Sequence, residues 1–169
     1  MVKSIVIVGG SSDIAKSTIS SISTENYKFH ALVRDDSHTD ELSDLGVNVI
    51  LGDATSEEDI KNFISGVKES GEIHAILHCV GSFAVRPPHA MNKEAFEAVI
   101  STNLTSAFLT LSIAGKAMLS QGHGRMVFMS SVAGSLGLVN HEAISAAKGG
   151  IESMVRSAAA TYSKRGIRV

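Results

Sequence analysis

The sequence predicts an α/β domain built on a doubly wound parallel sheet. Short β-branched apolar runs alternate along the chain with longer amphipathic stretches. The short runs are apolar almost throughout, the pattern of strands covered on both faces. No repeat, low-complexity tract or linker interrupts the alternation, so residues 1–169 are read as one domain. Right-handed crossovers favour double winding, and a ligand of such a sheet belongs at the carboxyl ends of its strands.

The first strand is expected at "SIVIVGG" (4–10), ending in glycines, and the first helix at "SDIAKSTISSIS" (12–23), with Ile14, Ile19 and Ile22 to one side. "KFHALVR" (28–34) is the second strand. "HTDELSDLG" (38–46) is a short helix stopped by Gly46. "VNVILGD" (47–53) is the third strand. "SEEDIKNFISGVKES" (56–70) is a helix with a serine cap and an acidic first turn. "IHAILHCVG" (73–81) is the fourth strand, residues 92–119 form a long helix, and "GRMVFMSS" (124–131) is the fifth strand. Residues 141–166 form a second long helix, and the apolar "IRV" follows it.

A chain of 169 residues is long enough to bury roughly 70% of its unfolded surface. Its net charge of −2 gives no basic footprint, so neither nucleic acid nor an acidic membrane is an expected partner. One cysteine, Cys79, excludes an internal disulfide and suits a cytoplasmic location. The opening apolar run is too short for a signal-peptide core or a membrane span. No His/Cys cluster has metal-ligand spacing, so no metal site is expected.

The turn "VGGSSDIA" lies between a strand and a helix. Glycines there let backbone approach a pyrophosphate, which a helix N-terminus attracts. Gly9, Ser11, Ser12, Asp13 and Ile14 are therefore candidate phosphate-facing residues. The glycine pattern is incomplete, because Asp13 and Ala15 stand where a full fingerprint has its later glycines. The same turn also reads as a tight connection with Ser12 or Asp13 as a helix cap.

The fragments "GGSSDIA", "GDAT", "HCVG", "NLTSAF", "GRMVFMSSVAG" and "ISAAKGG" occur in an order that resembles the short-chain dehydrogenase/reductase family from Val2 to Val169. The resemblance implies an NAD(P)-binding Rossmann fold and hydride transfer between a nicotinamide cofactor and a small carbonyl or alcohol substrate. It assigns Gly9 to the cofactor loop and Asp53 and Ala54 to the adenine. Gly81 closes a motif whose two asparagines are here His78 and Cys79, so the backbone role is expected to survive and the amide hydrogen bonds to be lost. Asn103 corresponds to the asparagine of the proton relay, Ser131 to the serine that polarises the carbonyl, and Lys148 to the ribose-binding lysine.

The family's tyrosine stands four residues before the lysine and thirteen after the serine, and both counts land on Ile144. Isoleucine cannot donate a proton, and positioned acid–base catalysis is worth about 10²–10⁴-fold. His141 is one candidate substitute, lying about 20° from Lys148 around the helix and having a suitable imidazole. It also reads as a residue that merely precedes or caps the helix. The chain thus reads either as an oxidoreductase with an atypical donor or as a nucleotide-binding pseudoenzyme acting as scaffold or sensor.

Arg34, at the end of the second strand, resembles the arginine of NADP-binding members, since its charge and fork suit a phosphate. Asp35 and Asp36 next to it argue for NAD instead, so NADP is the expected cofactor with NAD as the alternative. In the family, "KRGIRV" leads into two further strands. The resemblance therefore predicts a C-terminally incomplete chain lacking them, with the fifth strand as an edge. It also implies a homo-oligomer, a dimer or tetramer, paired through the two longest helices.

Overall fold

The computed structural model describes residues 3–22 and 25–169. Val2, where the family resemblance begins, and Ser23, the last residue of the expected first helix, lie outside the described residues. The elements follow in the order β1 (Lys3–Val8), α1 (Asp13–Ser21), β2 (Tyr27–Val33), α2 (Thr39–Asp44), β3 (Val47–Leu51), α3 (Glu57–Glu69), β4 (Ile73–His78), α4 (Lys93–Ile100), α5 (Ser106–Gln121), β5 (Gly124–Phe128), α6 (Glu142–Tyr162) and β6 (Ile167–Arg168). All pairings are parallel, in the order β3-β2-β1-β4-β5-β6. The order reverses between β1 and β4, which opens a crevice beyond their carboxyl ends.

The two-residue periodicity of β1 builds both halves of the core. Ile5 and Ile7 point to one face, where they meet Ala15 and Ile19 of α1 and Leu42 of α2. Val6 and Val8 point to the other, against Ile60, Phe63 and Ile64 of α3, Leu111 and Met118 of α5 and Ala158 of α6. Burying one such aliphatic side chain contributes roughly 1.5–3 kcal/mol, so an all-apolar strand is what the double-sided sheet selects.

The first five strands end one to three residues earlier than the apolar runs suggest, because the chain bends away at the crevice. Gly9 takes φ +85°, and a Cβ there would meet Val80 Cγ2 and N at 2.9 Å. Ser12 caps α1 by accepting the Ala15 amide at 3.2 Å, and Ser56 caps α3 through Asp59 N, also at 3.2 Å. The short second helix is preceded by a 3₁₀ turn over Asp36–His38.

Two expectations are corrected. The long helix over 92–119 is three pieces, with a π turn at Ser101–Thr105 joining α4 to α5. That continuous run, Lys93–Gln121, is long and apolar enough to cross a bilayer. Here its buried face instead packs on the sheet, α3 and α6. Nor are five strands the whole sheet, with the last two family strands lacking. "IRV" starts β6, which pairs Ile167 with Gly124 and Arg168 with Arg125, so β5 is not an edge over its first two residues. Ile167 is 1% exposed against the Val6 side of the core. Burying that residue is what draws the short strand into place. The second long helix ends at Tyr162, continues as a 3₁₀ turn over Ser163–Arg165, and stops at Gly166 with φ +75°.

Candidate nucleotide site

A cavity of about 450 Å³ opens at the crevice between β1 and β4. It is lined by Gly9, Ser11, Ser12, Arg34, Asp53, Ala54 and Gly81, seven of the ten positions singled out for the cofactor. Lys148 adjoins it through Gly81: a side chain at 81 would come within 3.6 Å of Lys148 Nζ and 3.3 Å of Asn103 Oδ1. Asp13 and Ile14 do not line it. The Asp13 carboxylate is fully exposed and lies 3.7 Å from Lys16, and Ile14 is 53% exposed. The first turn of α1 points these two side chains outward, away from the amides of the loop.

At the outer end Asp53 is fixed by an Asx turn. Its Oδ1 accepts the Thr55 amide and hydroxyl, each at 2.8 Å, and its own amide donates to Asp59 Oδ2 at 2.7 Å. The Thr55 amide and hydroxyl bonds, with a smaller effect from Arg34, hold the Asp53 carboxyl below its ordinary pKa. Asp35 also lines the cavity, and one of its two oxygens, Oδ1, accepts the Ser37 amide at 3.2 Å and the Ser37 hydroxyl. Those bonds lower its pKa, and Arg34 adds to the effect. Arg34 is exposed and faces the cavity between these two carboxylates.

At the inner end Asn103 is completely buried in the π turn. Its Nδ2 donates to Val99 O at 3.0 Å and to Ser82 Oγ at 2.8 Å, and its Oδ1 accepts the Ser82 amide at 3.1 Å. It therefore fixes the loop that follows Gly81. Lys148 is 7% exposed, and Nζ donates to Met129 O at 2.9 Å at the end of β5. Burial depresses its pKa, partly opposed by Cys79.

Ser131 begins a 3₁₀ turn over Val132–Gly134 and accepts the Ala133 amide at 3.2 Å, which leaves its hydroxyl proton free. Residues missed in the sequence hold that turn. Glu152 Oε1 accepts from Ser130 Oγ at 2.8 Å and from Ser135 Oγ at 3.2 Å. Gly134 packs so close that a Cβ would lie 3.1 Å from Gly149 N. Glu152 follows Lys148 by one helical turn, so one face of α6 carries the lysine and the clamp; that spacing was the available signal.

Ile144 is 4% exposed and packs with Val99, Ala133 and Ala143. No hydroxyl occupies its place. His141 occupies the N-cap position of α6 without a capping bond; its Nδ1 contacts Val139 O at 2.7 Å and its ring meets Phe83 edge-on at 5.8 Å. Among the described residues no hydrogen bond joins it to Ser131, Asn103 or Lys148.

At "HCVG" the backbone bond is kept, and imidazole bonds stand where the asparagine amides are lost. Cys79 N keeps a backbone bond to Val8 O at 2.8 Å. His78 is completely buried and reaches two hydroxyls of α5, Thr110 at 3.1 Å from Nδ1 and Ser106 at 3.2 Å from Nε2. Each hydroxyl also reaches a backbone carbonyl, Ser106 to Thr102 O at 2.6 Å and Thr110 to Ser106 O at 3.0 Å, so the neutral ring donates to one of them from its single N–H and accepts from the other. Burial pushes the His78 pKa down to about 3, with Lys148 adding to it, so the ring is neutral. Cys79 lines the cavity and takes a hydrogen bond from Ser12; burial still raises its thiol pKa.

The short chain dehydrogenase family profile matches residues 3–169. The 3-oxoacyl-[acyl-carrier-protein] reductase MabA of Mycobacterium tuberculosis is 28% identical over 166 residues, covering 98% of this chain. The chain spans 65% of that relative's length. Among solved structures, NAD⁺-bound xylitol dehydrogenase is 26% identical with a TM-score of 0.91, covering 99% of this chain and 67% of that one. ElxO with NADP bound is 21% identical with a TM-score of 0.92, over 100% and 71% of the two chains. The latter likeness shows the fold alone.

Proposed function

The chain belongs to the short-chain dehydrogenase family of oxidoreductases, and on that basis we propose that it binds a nicotinamide dinucleotide, NADP(H) in preference to NAD(H), and exchanges hydride with a small carbonyl or alcohol. The observation that carries this reading is the single cavity shared by Gly9, Ser12, Arg34, Asp53 and Gly81, with Lys148 beside it. Gly9 and Gly81 keep side chains out of the space where a dinucleotide backbone must lie close. Ser11 and Ser12 and the start of α1 face phosphate oxygens. Asp53 and Ala54 hold the adenine. Lys148, a buried cation, holds ribose hydroxyls.

Arg34 supports NADP(H), since a guanidinium matches a 2′-phosphate, while Ser37 takes one oxygen of the neighbouring Asp35, which also lines the cavity. MabA, xylitol dehydrogenase and ElxO are each named for a reductase activity, a dehydrogenase activity or a bound nicotinamide nucleotide. When bound, that nucleotide supplies or accepts the hydride. Ser131 donates its free hydroxyl proton to the carbonyl oxygen as a hydrogen bond. Asn103 holds the Ser82 loop and the order around Gly81. His141 is the candidate donor of the transferred proton; because Nδ1–H is held by Val139 O, Nε2 has a proton to give only in the doubly protonated ring. The exposed Phe96 of α4 and Phe108 of α5 support pairing of subunits through the long helices.

Ile144 favours a second reading, a pseudoenzyme that binds the nucleotide without turnover, because it fills the tyrosine's place with packed methyl groups. Fluorescence titration with NADPH and NADH, followed by a panel of carbonyl compounds, separates the two. Tight NADPH binding with turnover supports the first and binding without turnover the second. Failure to bind either nucleotide overturns both.

A further inference from the structure

Two ties join the end of β5 to one face of α6, and Ser131 lies between them. The first is Lys148 Nζ, which donates to Met129 O at 2.9 Å, two residues before the serine. The second spans the serine. One carboxylate oxygen of Glu152, Oε1, accepts from Ser130 Oγ at 2.8 Å and from Ser135 Oγ at 3.2 Å. The Ser130 hydroxyl also lies 3.4 Å from Lys148 O. Lys148 and Glu152 stand four residues apart, so both ties leave the same side of the helix.

The bonds inside the Ser131 turn are short-range. Ala133 N donates to Ser131 Oγ at 3.2 Å, Gly134 N to Ser131 O at 2.9 Å and Leu136 N to Val132 O at 2.8 Å. Such bonds shape the turn and leave its place over α6 unset. Backbone contact and Glu152 set that place. A Cβ on Gly134 would lie 2.9 Å from Glu152 Oε1, and one on Gly149 would lie 3.3 Å from Gly134 O. Ser130 and Ser135 are exposed and Glu152 is half-buried. Water competes for the two hydroxyls, and an ionised carboxylate holds them more strongly than a neutral acceptor.

We propose that Glu152 is a positioning residue for Ser131. It fixes the serine hydroxyl, which faces the substrate carbonyl, relative to the Lys148 ammonium, which faces the nucleotide ribose. The proposal rests on the oxidoreductase reading of this site. Its signature is loss of turnover without loss of nucleotide affinity, because Lys148 keeps its own tie to Met129. A misplacement of about 1 Å at a reacting group costs on the order of 10²-fold. Both hydroxyls use the same oxygen, so the amide oxygen of glutamine can replace it and leucine cannot.

The test compares Glu152→Leu, Glu152→Gln and Ser135→Ala with the native full chain. In Glu152→Leu, kcat for a carbonyl compound from the panel should fall roughly 10- to 100-fold, with the NADPH dissociation constant unchanged. Amide hydrogen exchange at Ala133 and Gly134 should quicken, while Cys79, whose amide bonds Val8 O at 2.8 Å, keeps its protection. Glu152→Gln should recover most of both, and the exposed change Ser135→Ala should fall between. A native chain that binds NADPH without turnover overturns the oxidoreductase reading alone, and exchange at Ala133 and Gly134 then decides the role of Glu152. Unchanged exchange at those two amides in Glu152→Leu would overturn the proposal. So would an unchanged kcat in an active chain, a loss that glutamine fails to recover, or an equal loss of NADPH affinity.

Discussion

Lys148 Nζ donates to the Met129 carbonyl oxygen at 2.9 Å, so the buried ammonium of α6 is anchored on the backbone where β5 ends. That anchor leaves two N–H donors for a ligand. Lys148→Met keeps much of the apolar stem and removes all three. A hydrogen bond to a charged group is worth about 1.5–3 kcal/mol, so NADPH affinity should fall roughly 10- to 100-fold. Equal NADPH dissociation constants for the two proteins would show that the ammonium does not meet the nucleotide.

Ile144→Tyr tests the missing acid. Ile144 is packed against Val99 and Ala133, so a larger ring should overpack the site by about 1–3 kcal/mol and lower the thermal midpoint. NADPH oxidation in the presence of a carbonyl substrate should nevertheless rise, toward the 10²–10⁴-fold that a positioned acid is worth. A folded variant that binds NADPH and gains no turnover would exclude the loss of the tyrosine as the limiting defect.

His141→Ala separates the two readings of the native chain. With Nδ1–H held by Val139 O, the ring can give a proton from Nε2 only when it is doubly protonated. Turnover should disappear and NADPH affinity should stay the same. Unchanged turnover removes His141 from the chemistry.

Arg34→Ala should reduce the ratio of NADPH to NADH affinity by about 10-fold, since a charge-assisted bond at the cavity mouth is lost from one ligand only. Asp35 is kept low in pKa by Ser37 and stays ionised in the variant at neutral pH. An unchanged ratio would move the specificity away from this strand end.

Acid should destabilise the fold through His78. An unfolded histidine takes up a proton near pH 6.5, whereas the buried ring does so only at about 3. The unfolded state therefore binds more protons between those values. Stability is complete above pH 6.5 and declines as pH falls toward 3, by about 1.4 kcal/mol per unit, or roughly 2 kcal/mol at pH 5. His30 shifts in the same direction. Urea midpoints measured at several pH values should show this slope, and His78→Asn should flatten it. An identical slope in the variant would assign the acid sensitivity elsewhere.

The strands and the crevice were legible in the sequence because burial on both faces writes itself as unbroken apolar runs, as in Ile5–Val8 and Ala31–Val33. The shared cavity was legible because Gly9, Asp53 and Gly81 sit at strand ends. Where reading failed, the cause is three-dimensional. Asp13 and Ile14 follow Ser12 directly, yet helical geometry turns their side chains away. The Glu152 clamp needs two loop serines that only the fold brings to α6. His78 looked like a lost pair of amide bonds because Ser106 and Thr110 lie 28 and 32 residues distant. β6 was too short for any periodicity and is specified by one buried side chain, Ile167.

The π turn at Ser101–Thr105 has a consequence for how this chain can vary. There the Ser106 amide bonds back to the Ser101 carbonyl, five residues away instead of four. The long helix thus holds one residue more than a regular helix of the same span. Loss of one residue within this segment would close the turn into ordinary α-helix of the same span, keeping α4 and α5 in register but removing the bulge from which Asn103 reaches Ser82. Exchange of exposed side chains along this helix is tolerable, but the number of residues in the turn itself is not free to drift by one. Insertions and deletions should therefore gather in the loops on either side of it, and the tally inside it should stay constant.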